Sequence, residues 1–372
     1  MKLKLNIWLT ALLGLLLTAC SEEERDRSLA VEERAVEIQL GLGDASMRAA
    51  IESDANSNFV IDGSDGNYLG VFCLAYDKRS SDVPAIDWTA SAMTAPMSNV
   101  QTTSYKDYSG KYSDDGQGGR VFEVVSKLKW TGTYLYPMGG WYKYGFYGYY
   151  PRVDDAQVTL SSNTLTADLT LTGYDDVVCG NSHSMESGDA FCAAYFLTNS
   201  GTTPLLTLNH ALARLRFRAI AKNDYTGSTQ ATQIRVAGVT VHQMPTDYRL
   251  TIADKENTAN EGTLTRIGTG TADVALRDMY SDTGLGANYI LRNTHTSSNP
   301  LVIGDEVMIP TDESAYYISV TLQNGRGEDC SPQGYWRVQA PAGGFQPGVT
   351  YWVEMKISSN PSAAEGELTI NE

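Results

Sequence analysis

The chain predicts an all-β protein, organised as two tandem antiparallel β-sandwich domains with long loops. Three observations carry that expectation. Short apolar runs are separated by Gly, Asn, Asp and Ser, with 34 Gly and 22 Tyr in 372 residues, the punctuation of many strands joined by turns. Several of those runs alternate apolar and polar residues, and a period of two gives a strand one buried and one wet face. One of them, unbroken from Arg214, lies in the stretch Leu205 to Ile220, which sits just past mid-chain with β-like sequence on both sides. It reads as the joint where a first sandwich ends and a second begins.

Within the joint, Arg214, Arg216 and Arg218 fall on one side, and Leu215, Phe217 and Ala219 on the other. Helix is the rival reading, because Ala, Leu and Arg are good helix formers. A helix would scatter the arginines around its circumference and break the apolar row, so a strand is expected. The division that follows is 35–203 for the first domain and 204–357 for the second.

The chain is long enough for two domains with ample cores. With 42% hydrophobic and 19% charged residues it has a globular composition. The net charge of −16 repels phosphate backbones, so nucleic acid is excluded as a partner.

Residues 1–19 read as a lipoprotein signal peptide. Lys2 and Lys4 precede an apolar run from Ile7 to Leu17, too short to span a bilayer and of the length of a signal core. The run ends in Leu17-Thr18-Ala19-Cys20, which resembles the bacterial lipobox. Cys20 then offers the thiol that is acylated, and more than one acyl chain holds a protein stably to a membrane. Residues 20–34 are charged and poor in large apolar side chains, a tether. In it, Ser21-Glu22-Glu23-Glu24 is either a solvated linker or an acidic export signal of surface lipoproteins.

Then Val36, Ile38, Leu40 and Leu42 alternate cleanly, the best strand signal in the N-terminal region. Tyr68 to Tyr76 reads as a core strand. Pro84 to Lys111 shows no sustained period and is expected to form surface loops. Val121 to Trp130 reads as a strand. Tyr134 to Tyr150 is crowded with aromatics; exposed, they would suit sugar stacking, but Tyr142, Tyr144 and Phe146 keep period two, which favours a central strand ended by Pro151. Leu165, Ala167, Leu169 and Leu171 are in step. Ile234 to Val241 changes parity at Gly238, as a bulge would. Tyr248 to Ile252 is another strand. Residues 257–277 are hairpin-like and 278–299 a long loop. Val302 to Ile309, Ala315 to Gln323, Tyr335 to Gln339 and Val349 to Ile357 complete the second sandwich. Residues 358–372 form a tail in which Leu368 and Ile370 share a face, either a short strand or a frayed end.

Three places resemble one family. Leu206-Thr-Leu-Asn-His-Ala-Leu-Ala-Arg-Leu-Arg-Phe217 is similar to the "H-x-x-A-K/R-L-x-F" signature of the fimbrillin-type pilins, the type V fimbriae of gut and oral Gram-negative anaerobes. Tyr144 to Pro151 is similar to that family's "Y-x-F-x-A-Y-Y-P", and Pro347 to Glu354 to its last-strand "P-G-x-x-Y-x-V". The resemblance implies Greek-key, transthyretin-like sandwiches. It also implies a fimbrial subunit at the outer membrane and cell surface, whose partners are other fimbrial subunits and, as an adhesin, surface glycan or protein. In such subunits the first strand is cut away at an Arg, opening a groove that accepts a strand from the next subunit. Arg48 matches that position; Arg34 is the fallback, but it precedes the strand. Leu368 and Ile370 stand where the family's donor strand lies, though they are fewer than the four residues of the first strand. A glycan-binding surface lipoprotein acting as a monomer is the alternative.

No short catalytic signature appears: four His, and no G-x-S-x-G, H-E-x-x-H or Walker-type loop. No catalysis and no cofactor are therefore expected. These motifs do not test constellations assembled from distant residues. Cys179, His183 and Cys192 match no trusted zinc spacing, so no metal is expected; a Cys179–Cys192 disulfide and free thiols both stay open. His210 reads as a structural histidine.

Overall fold

The computed structural model describes residues 36–42, 61–63, 66–107, 112–114, 120–122, 125–138, 141–182, 203–223, 225–227, 229, 233–279, 289–330, 335–358 and 368–371. Cys20, Arg34, Arg48, His183 and Cys192 lie outside them.

The described residues are all-β. In chain order the strands are β1 (Gly41–Leu42), β2 (Leu69–Lys78), β3 (Met97–Asp107), β4 (Tyr112–Asp114), β5 (Arg120–Phe122), β6 (Val125–Trp130), β7 (Tyr142–Tyr150), β8 (Val158–Leu160), β9 (Thr164–Thr170), β10 (Val178–Ser182) and β11 (Leu205–His210). They continue as β12 (Ala213–Ala221), β13 (Ile234–Pro245), β14 (Asp247–Asp254), β15 (Leu264–Arg266), β16 (Thr271–Ala275), β17 (Leu301–Ile309), β18 (Ala315–Asn324), β19 (Tyr335–Gln339), β20 (Thr350–Ile357) and β21 (Leu368–Asn371).

The N-terminal sheet closes on itself in the order β1-β11-β10-β7-β2-β3-β6, a barrel where two open facing sheets were expected. The cause is the short β1, which fills the gap between β6 and β11. Strands β2 and β7 bury both faces along most of their length. Leu69, Val71, Cys73, Tyr142, Tyr144 and Phe146 fill the interior. Phe72, Leu74, Tyr147 and Tyr149 point outward into a second cluster shared with Leu165, Ala167 and Ile252. The aromatic run is thus a core strand, and Pro151 ends it.

Three four-stranded sheets make up most of the rest: β17-β12-β20-β21, β16-β13-β18-β19 and β15-β14-β9-β8. The last draws strands from either side of residue 203, because β9 pairs antiparallel with β14. Residues 257–277 do not form a hairpin of their own: β15 pairs with β14, and β16 with β13. Val236 and Gly238 flank the register shift in β13.

Met97–Asp107, expected as loop, is an eleven-residue strand. Its inward positions include Thr102 and Ser104, both buried, so no apolar alternation marked it. Both hydroxyls are paired: Thr102 Oγ1 donates to the Val100 carbonyl within the strand (3.0 Å), and Ser104 Oγ accepts from the Ile61 N–H of a distant segment (2.7 Å).

On β12, Leu215, Phe217 and Ala219 are fully buried. The arginine face is drier than a wet face should be. β12 runs parallel to β20 with Arg216 opposite Trp352 and Arg218 opposite Glu354. The Trp352 ring lies 4.8 Å from the Arg216 guanidinium and 5.6 Å from that of Arg218. Arg218 pairs with Glu354 at 2.9 Å, and Arg214 with Glu306 at 3.0 Å.

Candidate strand-exchange groove

Val36, Ile38, Leu40 and Leu42 are all buried, while Glu37 and Gln39 between them are exposed. Alternation places the four side chains on one face, and that face looks into the barrel. They join the cluster of Val71, Met97, Leu128, Tyr136, Phe146, Leu206 and Leu208. Tyr136 belongs to the same cluster, edge-on to Phe146 at 6.4 Å. Burying four such side chains contributes roughly 6–12 kcal/mol as an upper bound.

The backbone is held from two sides. The Ile38 N–H donates to the Tyr134 carbonyl (2.9 Å), the Tyr136 N–H to Val36 (2.9 Å) and the Leu128 N–H to Leu40 (3.1 Å). On the other side the Gly41 N–H donates to Pro204 (2.8 Å). Register then sets Gly41 opposite Leu205 in a parallel pair and opposite Lys127 in an antiparallel one. Only Gly41 and Leu42 form a regular ladder. Beside residues 37–40 lies a cavity of about 290 Å³ lined in part by Tyr105, Lys127, Lys129 and Trp130.

Two glycines set the neighbouring strands close. A Cβ on Gly180 would run into the Thr207 carbonyl oxygen, and one on Gly148 into the Leu206 side chain. Strands β7, β10 and β11 therefore pack tightly behind the segment, and β11 is held in place for it.

Other candidate residues fall as follows. His210, at the end of β11, donates from Nδ1 to the buried Asp176 carboxylate, which can only accept. Cys73, Cys179 and Cys330 are free; burial pushes the Cys179 thiol up to about 12. Leu368 and Ile370 lie on β21, which pairs antiparallel with β20, Ile370 opposite Val353. Of the aromatic run, Tyr142, Tyr144, Tyr147, Tyr149 and Tyr150 are buried, so they offer no stacking platform. Sequence reasoning missed that Tyr134 and Tyr136 supply backbone partners to the first segment; no local pattern marks a partner so far along the chain.

The fold and this groove define a class: an all-β chain whose barrel is closed by one short apolar segment. No family model and no curated protein matches the chain. Solved structures are similar to it at low sequence identity. A Bacteroides uniformis protein provisionally assigned to cell adhesion aligns with a TM-score of 0.47 and 14% identity over 91% of this chain and 96% of its own. A fimbrial protein from Bacteroides vulgatus aligns with a TM-score of 0.48 and 11% identity over 91% and 99%. The fimbrial anchor protein Mfa2 from Porphyromonas gingivalis aligns with a TM-score of 0.31 and 8% identity over 91% and 98%.

Proposed function

We propose that the chain is a structural, adhesive subunit of a cell-surface fimbria, exported as an outer-membrane lipoprotein through Cys20 and assembled by β-strand exchange. One observation carries this reading. Gly41 and Leu42 sit between β6 and β11, and Val36, Ile38 and Leu40 continue along Tyr136, Tyr134 and Leu128; without the segment these edges would present unpaired backbone over an apolar cluster. A bare edge of that kind is a template for another strand: main-chain hydrogen bonds supply affinity and pockets for alternate side chains supply specificity. Cleavage after Arg48 would release the segment. Cleavage at the fallback, Arg34, precedes it and frees nothing. Leu368 and Ile370 on β21 are the lendable strand, parked on the edge of β20 until a neighbouring subunit takes it. Other subunits of the same or related type are the partners, and the two domains are taken as 35–203 and 204–357, with β11 reaching back into the barrel and β14 pairing with β9. Strand exchange needs no reactive centre.

Mass spectrometry of the protein extracted from the cell surface tests the reading. A mature N-terminus at Ala49 identifies a stalk or tip subunit. A lipidated Cys20 with residues 35–48 retained identifies an anchor. Full-length protein found only as an unassembled periplasmic monomer overturns the proposal.

A further inference from the structure

The outer face of the sheet β16-β13-β18-β19 carries a group of side chains that strand exchange does not use. The inward row of these strands, Val239, Val241, Val274, Ile318, Val320 and Val338, is buried. The alternate residues therefore face out. Register sets His242 opposite Tyr317, and Ser319 opposite both Thr240 and Tyr335. A second register shift in β13, between Val241 and Met244, places Gln243 at φ 52°. That bulge turns the Gln243 N–H onto Asp273 Oδ1 at 2.9 Å. The other carboxylate oxygen, Oδ2, lies 2.9 Å from His242 Nδ1, and His242 Nε2 lies 2.7 Å from Ser319 Oγ.

With the His242 ring neutral, these contacts have one consistent proton arrangement. An ionised carboxylate only accepts, so Nδ1 carries the hydrogen. In the neutral ring Nε2 is then the bare nitrogen, and the 2.7 Å contact is Ser319 donating its hydroxyl proton. A hydroxyl against a base, with the base oriented by a carboxylate, is the geometry of an activated serine. The Gln243 N–H and then His242 hold the Asp273 carboxyl below its usual range, which keeps it an acceptor. Tyr335 leans over the imidazole at 4.9 Å between ring centroids. Tyr335 and Tyr317 are 72% and 51% exposed, two rings on which a flat substrate group can stack.

We propose that Ser319, His242 and Asp273 form a nucleophilic serine site that cleaves small carboxylic esters with a ring-bearing alcohol. Ser319 Oγ bonds to the ester carbonyl carbon as its proton passes to His242 Nε2, and Asp273 stabilises the imidazolium through Nδ1–H. The bond to the alcohol oxygen breaks, and the alcohol leaves with the proton from Nε2. Water then attacks the acyl-Ser319 ester, giving one proton to Nε2, which returns it to Oγ. The sum is ester and water to acid and alcohol.

The test uses the full chain with 4-nitrophenyl acetate as substrate and a fluorophosphonate as covalent probe. Peptide mapping of wild-type protein is expected to place the phosphonyl adduct on Ser319, with the ester slowing its formation. Hydrolysis should fall by roughly 100-fold or more in Ser319→Ala and His242→Gln and clearly in Asp273→Asn, while Thr321→Ala on the same face leaves it unchanged. Wild-type labelling needs no variant, so a folding defect in any of them leaves the result readable. Absence of an adduct at Ser319, or labelling and hydrolysis unaffected by His242→Gln, overturns the proposal.

Discussion

Leu40 and Leu128 are joined twice: the Leu128 N–H donates to the Leu40 carbonyl at 3.1 Å, and both side chains are buried in the barrel interior. The backbone bond sets the register, and the side chains make that register stable. Truncation of Leu40 to Ala should therefore cost about 2–5 kcal/mol, the range for a large-to-small change in a core. Gln39→Ala, one residue away on the exposed face, should stay within about 0.5 kcal/mol. Urea denaturation of the two variants checks this, and equal effects would show that the segment is not seated in the groove.

Gly180 should not tolerate a methyl group. Its Cβ would meet the Thr207 carbonyl and come within 3.0 Å of the Leu208 Cα, and backbone cannot swing aside as a side chain can. Gly180→Ala is expected to destabilise by about 1–3 kcal/mol and to speed hydrogen exchange along β10 and β11. Gly238→Ala is the comparison, since its Cβ meets only the Thr321 side chain at 3.5 Å. A mild Gly180→Ala would mean that β11 is free to shift.

Glu354 is nearly buried against Arg218, with side chains 6% and 19% exposed. Removing one partner leaves the other charge desolvated, so Glu354→Ala should cost about 3–5 kcal/mol. The more open Arg266–Glu313 pair, with side chains 36% and 34% exposed, should yield at most about 1 kcal/mol on Glu313→Ala. Thermal denaturation of both variants distinguishes them; similar losses would argue that the arginine face is well hydrated.

Alkali should unfold the chain. Burial pushes the Tyr149 and Tyr150 phenols from 10 up to about 12. Between those values the unfolded chain has released protons that the folded chain keeps. Stability is therefore full below about pH 10 and falls as pH rises through that window. Fluorescence-monitored denaturation from pH 8 to 11.5 should show the decline, and Tyr149→Phe should flatten it. A stability that is level across the window would mean that these rings are hydrated.

Legibility followed the inward side chains. Where they are apolar, as in Thr350–Ile357, a strand stands at or near its expected bounds, whereas the stretch Leu205 to Ile220, expected as one strand, divides into Leu205–His210 in the barrel and Ala213–Ala221 in the sheet with β17 and β20. Where they are Thr102 and Ser104, a strand went unseen, because polar inward residues leave no apolar alternation and the Ser104 hydroxyl finds its partner, the Ile61 N–H, on another segment. His242, Asp273 and Ser319 were invisible for a related reason. No spacing links them, and only the pairing of β13 with β16 and β18 brings them within hydrogen-bond distance.

The sequence alone settled the class of structure and, where one row is apolar, the dry side of a strand: Val36, Ile38, Leu40 and Leu42 share a face because a period of two is a property of the local backbone. Which strands lie beside that segment is a different matter. Hydrogen bonds between strands join residues far apart in the chain, and a period of two is the same whatever the neighbour. The closing of the barrel by β1, and the meeting of His242 with Asp273 and Ser319, were decided only when the sheets assembled.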